Sequence, residues 1–301
     1  MGRKTTNDGK AHKFGGDWTT TKLKVLERYL KEYTTALKNT NFRKGYIDAF
    51  AGTGYRDPGR DDSEDQNILF PDLAMDEPQR LLDGSARIAL KTEPRFDKYI
   101  FIERSESRCA ALDGLKREFP DKAADMEVRL GDANREIQNL CNKNWRSNRA
   151  VLFLDPYGMQ VDWATIEAVA RTKAIDLWLL FPLGMGVNRL LKRTGEIPES
   201  WRARLDTLLG TKDWYDEFYN VRVESDLFGN EMRRIEKATL ETIGRYFNRR
   251  LKSVFAGVVE EPGVLKNKAN CPLYLLCFAV GNKGGKDIAL RIADHILNGV
   301  R

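Results

Sequence analysis

The run Tyr46-Ile47-Asp48-Ala49-Phe50-Ala51-Gly52-Thr53-Gly54 decides how the 301-residue chain is read. Three β-favouring positions, Tyr46, Ile47 and Phe50, surround one carboxylate, and two glycines one residue apart then turn the chain back. That is the pattern of a strand running into a tight turn. Glycine has no Cβ, so a ligand can lie against the peptide groups of such a turn. A strand that simply ends at a glycine turn would look the same, and the flanking sequence has to separate the two.

Outward from that turn, apolar runs alternate with helical patterns. Lys98–Arg104 (KYIFIER) reads as a second strand ending at Glu103, and MEVRLGDAN as a third ending at Asp132. AVLFLDPYG is a fourth, broken by Asp155 and Pro156, and AIDLWLLFPLG is a fifth. Helical stripes separate them, one carrying Leu112, Leu115 and Phe119 and the next Ile137, Leu140 and Cys141. Apolar runs without alternation are what strands buried on both faces of a parallel sheet require, and helical crossovers between parallel strands are right-handed in nearly all cases. The expectation is a Rossmann-like, doubly wound α/β sheet, mostly parallel. SVFAGVVEEP and CPLYLLCFAVGNK, joined by a polar loop too short for a helical crossover, read as an antiparallel closing pair. Before the sheet, a helix capped at Thr19, Thr20 or Thr21 carries a stripe of Leu23, Leu26, Tyr29, Leu30, Tyr33 and Leu37, with Lys22 placed off it. Residues 1–16 read as a flexible N-terminus and 17–301 as one domain with two insertions. The first, 55–84, is an acidic loop. The second, 184–252, reads as helical with no strand, ending in one long helix from Glu231 to Lys252.

No run of about 18 apolar residues occurs, and the N-terminus lacks an apolar segment behind its charges, so a cytoplasmic protein without membrane contact is expected. The four cysteines and two histidines lack metal-ligand spacing. Net charge is +6, spread unevenly: residues 1–60 hold 13 Lys/Arg against 6 Asp/Glu, whereas 61–90 hold 2 against 8. The basic N-terminus and the later helices suit contact with phosphates, and suit a solvated charged face equally well.

Glu103, Asp132 and Asp155 each fall at or just past the carboxyl end of a strand, the edge along which open parallel sheets bind ligands. A dinucleotide fingerprint is excluded because Asp57 stands at the third glycine position, where it would repel a pyrophosphate, and no P-loop pattern occurs. The turn suits a ligand without phosphates.

On these residues the chain resembles the class I S-adenosylmethionine-dependent methyltransferases. DAFAGTG resembles their motif I, D-x-F-x-G-x-G, and the closing strand pair resembles the last hairpin of that seven-stranded fold. The resemblance implies that S-adenosylmethionine is the cofactor. It implies that Gly52 and Gly54 line the methionine part, with Phe50 also at the cofactor, and that Asp48 faces its amino group. Glu103 would accept from the two ribose hydroxyls and Asp132 from the adenine amino group. Glu103 could instead cap its following helix, and it follows Gly54 by more than the usual gap because of the acidic insertion.

Asp155-Pro156-Tyr157-Gly158 carries the chemistry in this reading. Methyl transfer to an exocyclic amine needs acceptors for the amine hydrogens, which Asp155 and the Pro156 carbonyl supply, and a ring such as Tyr157 on which a base can stack. The stretch resembles the (D/N)PP(Y/F) motif of amino-methyltransferases and, more closely, the DPFG-like variant of tRNA guanine-N2 methyltransferases. A strand-end turn in which Asp155 caps the next helix is the plain alternative. The whole chain is also similar to the three-Cys-motif partner proteins, through Trp18-Thr19 with Lys22-Leu23, YIDAFAGTG, FIER, LFLDPYG, FPLGMGVNRLL and LYLLCFAVGNKGG. That similarity implies a partner carrying a three-Cys motif and no settled substrate. The expectation is a methyltransferase for an amine of RNA or DNA. A non-catalytic partner of the same fold, or a methyltransferase for a small molecule or protein, are the alternatives.

Overall fold

The computed structural model describes residues 17–49, 82–156, 158–225 and 231–300. The main sheet contains β1 (Arg43–Ala49), β2 (Lys98–Glu103), β3 (Met126–Leu130), β4 (Asn148–Leu154) and β5 (Ile175–Phe181), all mutually parallel where they pair. β6 (Tyr219–Ser225) and β7 (Glu231–Lys237) form a separate antiparallel pair, and β8 (Gly257–Val258), β9 (Gly263–Lys266) and β10 (Pro272–Val280) return to the main sheet. Its order is β3-β2-β1-β4-β5-β10-β8, with β9 also on β10. β10 runs antiparallel to β5, and β8 and β9 share its other edge, so together they fill one seventh position. The expected Rossmann-like, doubly wound sheet with an antiparallel closing strand is therefore present.

The helices are α1 (Asp17–Ala36), α2 (Leu82–Lys91), α3 (Glu106–Glu118), α4 (Ala133–Cys141), α5 (Trp163–Thr172), α6 (Asn188–Leu190), α7 (Glu199–Leu209), α8 (Trp214–Phe218), α9 (Leu240–Val254) and α10 (Lys286–Leu297). Strand residues alternate between two apolar layers, because successive side chains leave a strand on opposite faces. Ile47, Ala49, Leu152, Leu154, Leu177 and Leu179 meet α4, α5, α7 and α9 on one side. Tyr46, Tyr99, Phe101, Val151, Phe153 and Trp178 meet α1, α2, α3 and α10 on the other. All seven residues of β5 are buried, which explains its unbroken apolar run. Gly184, in the FPLGMG turn after β5, lies against β10: a Cβ there would sit 2.1 Å from the Pro272 carbonyl oxygen.

Several expectations change. α1 already includes Asp17, ahead of the threonines expected to cap it. The insertion is not purely helical, since β6 and β7 pair from Tyr219↔Lys237 to Ser225↔Glu231. The long helix expected from Glu231 is thus a strand as far as Lys237. Helix starts only at Leu240, capped by Thr239, whose hydroxyl accepts from the Thr242 N–H. Lys237, inside the stretch expected to be helical, closes β7 and donates through Nζ to the Asn188 and Leu191 carbonyls at 2.7 Å. The first closing strand is only two residues long because Ser253 and Val254 stay in α9, and β9 lies within the stretch read as loop. The acidic insertion falls almost wholly outside the described residues, apart from 82–84 in α2. Among the described residues no helix is long and apolar enough to cross a membrane.

Candidate functional site

β1, β2, β3 and β4 are neighbours, so the groups at their carboxyl ends form a row along one edge. The chain enters the sheet at β1 and proceeds outward on both sides of it, which makes the crevice between β1 and β4 the switch point where such sheets bind ligands. Asp48 and Asp155 flank that crevice, and Glu103 and Asp132 continue the row. Phe50, Gly52, Gly54 and Tyr157 lie outside the described residues.

Glu103, the last residue of β2, is 2% exposed. Its Oε1 accepts the N–H groups of Arg104 and Ser105, each at 2.8 Å, and Arg108 stands 4.0 Å away. Its Oε2 is buried and has no partner among the described residues. Burial raises the carboxyl above the usual range, while the Ser105 N–H, the Arg108 charge and the Arg104 N–H oppose that rise. Ser105 occupies the N-cap position of α3, and its own side chain caps nothing. Glu103 thus braces the chain entering the helix with one oxygen and keeps the other bare.

Asp132 follows β3 and caps α4, its Oδ1 accepting the Arg135 N–H at 2.9 Å. It is exposed, and one of its oxygens is committed to the helix. Glu103 and Asp132 nonetheless line a common cavity of about 170 Å³ between the ends of β2 and β3, together with Arg104, Asn134, Gln160 and Arg204. Asn134 fixes its far wall by donating to the Gln160 carbonyl at 2.8 Å and accepting from the Asp162 N–H at 3.0 Å. Arg204 of α7 pairs with Asp162 at 3.1 Å. Gln160 supplies a second buried acceptor, Oε1, without a partner among the described residues.

Asp48 is 1% exposed and points to the α1 face, where its Oδ2 accepts from the Tyr46 hydroxyl at 2.9 Å. Burial is the largest influence and pushes its carboxyl up to about 7. Hydrogen bonds from Ser85 and Tyr46 and the charge of Lys22 oppose that, and Asp155 reinforces it.

Asp155 follows β4, and its partner comes from the other end of the chain. Lys22 of α1 places Nζ 2.6 Å from Asp155 Oδ2. Lys22 is 1% exposed, and its ammonium also lies 4.8 Å from the Trp18 ring centre. A lysine buried this deeply needs a counter-charge, and the carboxylate provides it. Asp155 itself is 24% exposed, and its Oδ1 makes no hydrogen bond with a described residue. Asp155 therefore does not cap α5, whose N-cap is Asp162. Pro156 is buried, and Gly158 takes φ +64, a left-handed value that explains the glycine ending DPYG.

Lys22 was expected off the buried stripe and is on it. The buried positions of α1 are 22, 25, 26, 29, 30, 33 and 34, so this lysine repeats with the apolar residues at three- and four-residue steps. A lysine in that register was the available signal. Gln160 carried none.

No family model matches the chain, and no curated protein does. Solved structures that do match include a spermidine synthase from Thermotoga maritima, at 10% identity and a TM-score of 0.38, covering 89% of this chain and 60% of that one. Protein LPL1258 from Legionella pneumophila matches at 14% and 0.36, covering 75% of this chain and 92% of that one. The 23S rRNA methyltransferase ErmE matches at 11% and 0.30, covering 91% and 75%. The chain thus spans about 60% of the length of the spermidine synthase it matches.

Proposed function

We propose that the chain is an S-adenosylmethionine-dependent methyltransferase acting on an exocyclic amine of a nucleic-acid base. The observation that carries this reading is Glu103: a buried carboxylate at the end of β2, one oxygen saturated by two amides and the other bare, beside a cavity. An unpartnered buried carboxylate oxygen costs stability unless a ligand completes it, and its two lone pairs suit two vicinal hydroxyls. The residues present thus fit the ribose of the cofactor. Gln160 Oε1 is better placed than Asp132 to accept from the adenine amino group, because it is buried and uncommitted. Asp48 faces the amino end of the methionine moiety, as the motif likeness implies.

The bound cofactor supplies an electrophilic methyl group on a sulfonium. The chain's own part is to hold the acceptor. Asp155 Oδ1 and the Pro156 carbonyl take the amine hydrogens, aiming the nitrogen lone pair along the S–C bond, and the Lys22 ammonium holds Oδ2 so that the carboxylate cannot rotate away. With the cofactor bound, its sulfonium would supply the methyl group to that nitrogen, and the amine proton would be released to water from between Asp155 and the Pro156 carbonyl. Tyr157 is assigned the stacking role by its place in DPYG alone.

The experiment is binding of S-adenosylmethionine by calorimetry, followed by transfer of its labelled methyl group to tRNA, rRNA, duplex DNA and protein. The motif likeness to three-Cys-motif partner proteins supports running it with and without such a protein. Glu103→Ala is expected to weaken cofactor binding, and Asp155→Ala to leave binding intact while abolishing transfer. A wild-type chain that does not bind the cofactor refutes the reading.

A further inference from the structure

A second cavity lies at the opposite edge of the sheet. It is a cleft of about 400 Å³ where α4 and α5 end and where β4 and β5 begin. Its walls carry five cations, Lys143, Arg146, Arg149, Arg171 and Lys173, with Trp145 among them, and no described acidic residue lines it. Cations beside helix carboxyl ends are ordinary, because each end presents roughly half a negative charge. The balance decides against that reading as sufficient. Two helix ends offset about one charge and Glu167, 3.9 Å from Arg171, offsets another, which leaves a surplus of roughly +3.

The groups are also available. The side chains of Lys143, Arg146 and Lys173 are exposed and have no hydrogen bond or ion pair with another described residue. Arg149 is fixed against the Phe42 ring at 3.8 Å and donates to the Asn148 carbonyl at 2.7 Å, yet its Nε–H is buried without an acceptor among the described residues. Trp145 is fixed too, its indole N–H donating to the Leu140 carbonyl at 3.1 Å. An immobile, half-buried ring set among guanidinium and ammonium groups is the combination by which proteins hold single-stranded nucleic acid, with phosphates on the cations and a base on the ring. Arginine forks match phosphate oxygens in pairs.

We infer that this cleft is a second, anion-binding site that takes the phosphates of a single-stranded nucleic acid. It stands apart from the proposed reaction site: Asp155 follows Arg149 by six positions along β4, about 20 Å. A polynucleotide reaches both edges, and a mononucleotide does not. The cleft therefore anchors a polymer remote from the point of chemistry, and its existence does not depend on the assignment of the other edge.

The test uses the full chain and a variant carrying Lys143→Ala, Arg146→Ala and Lys173→Asn. Asparagine is chosen at 173 because φ there is +53, a left-handed value it tolerates. Binding of a labelled single-stranded RNA is followed by anisotropy between about 50 and 200 mM salt, and binding of pyrophosphate by calorimetry. The wild type is expected to bind RNA with a salt slope about two steeper than that of the variant, from three lost phosphate contacts at roughly 0.7 each. Pyrophosphate binding that the variant loses, without RNA binding, retains the anion site and assigns it a small phosphate ligand in place of the polymer. A wild type that binds neither, or RNA binding with the same slope in both proteins, overturns the inference. S-adenosylmethionine binding is measured on the same preparations. Its loss would count against the reaction site and leave this result standing.

Discussion

Asp176→Asn tests how the core tolerates charge. Asp176, the second residue of β5, is 7% exposed; its Oδ2 accepts from the Tyr29 hydroxyl at 3.0 Å and its Oδ1 from the Gly281 N–H at 3.3 Å. Burial, only partly opposed by those two hydrogen bonds and by Arg149, raises the carboxyl from 3.8 to about 7. The folded chain therefore keeps a proton that the unfolded chain releases over that window. Stability is fullest at low pH and falls as pH rises towards 7, by about 1.4 kcal/mol per unit from this group and at most roughly 4 kcal/mol in all. Asparagine keeps both hydrogen bonds, its carbonyl facing Gly281 and its amide facing a rotated Tyr29 hydroxyl, and it has no proton to lose. Urea unfolding of both proteins at about pH 4.5, 6 and 8 reads the difference between the curves, in which groups common to the two cancel. The variant is expected to match or trail the wild type at the acid end and to exceed it at the alkaline end. Parallel curves, or a variant that loses ground to the wild type as pH rises, would refute the account of Asp176.

Asp48 titrates in the same range with the same sign for folding, but it also couples to the ligand. If its carboxylate faces the cofactor's ammonium, affinity for S-adenosylmethionine rises as pH passes upward through about 7, and Asp48→Asn flattens that rise in calorimetry. Lys22→Met is expected to lower methyl transfer by roughly a hundredfold while leaving cofactor affinity within about threefold, because the lysine touches Asp155 and not the cofactor cavity. Equal losses in both measurements would show the pair to be merely structural. Gly184→Ala is expected to cost about 1–3 kcal/mol in urea unfolding, since the Pro272 carbonyl that a Cβ would meet belongs to a sheet strand and cannot move aside freely.

The parts of the fold that were legible are those where burial is uniform. β5 is apolar but for Asp176 because both its faces are covered, and β2 and β4 end at the residues their sequences suggest. Glu103 and Asp155 could be placed because a carboxylate closing an apolar run can only emerge at the sheet edge. Contacts between distant segments were not legible. Lys22 and Asp155 are 133 residues apart, and the two bare acceptors of Glu103 and Gln160 are visible only once other donors have been assigned. The β6–β7 pair was missed for another reason: Val221 and Val223 are exposed, so the alternation of that strand does not mark a core face. The cationic cleft is hidden in a stretch, residues 91–181, whose 15 Lys/Arg and 15 Asp/Glu balance, although the interval from Lys143 to Arg149 contains three cations and no acid.

The buried Lys22 bears on how the protein is made. Synthesis proceeds from the N-terminus, so α1 is complete long before its counter-charge at Asp155 exists, and before Phe278 of β10 arrives to pack on Tyr29 at 4.9 Å between ring centres. In that interval the helix carries a cation at the N-terminal end of its oily stripe. A charge there opposes premature association of the stripe with other apolar surfaces, in the way gatekeeper residues protect exposed hydrophobic segments. Once β4 and β10 are in place, the same ammonium is drawn under cover by the Asp155 carboxylate. One side chain thus discourages the nascent helix from misassociating and locks it down when the fold is finished, which makes α1 poorly suited to trimming.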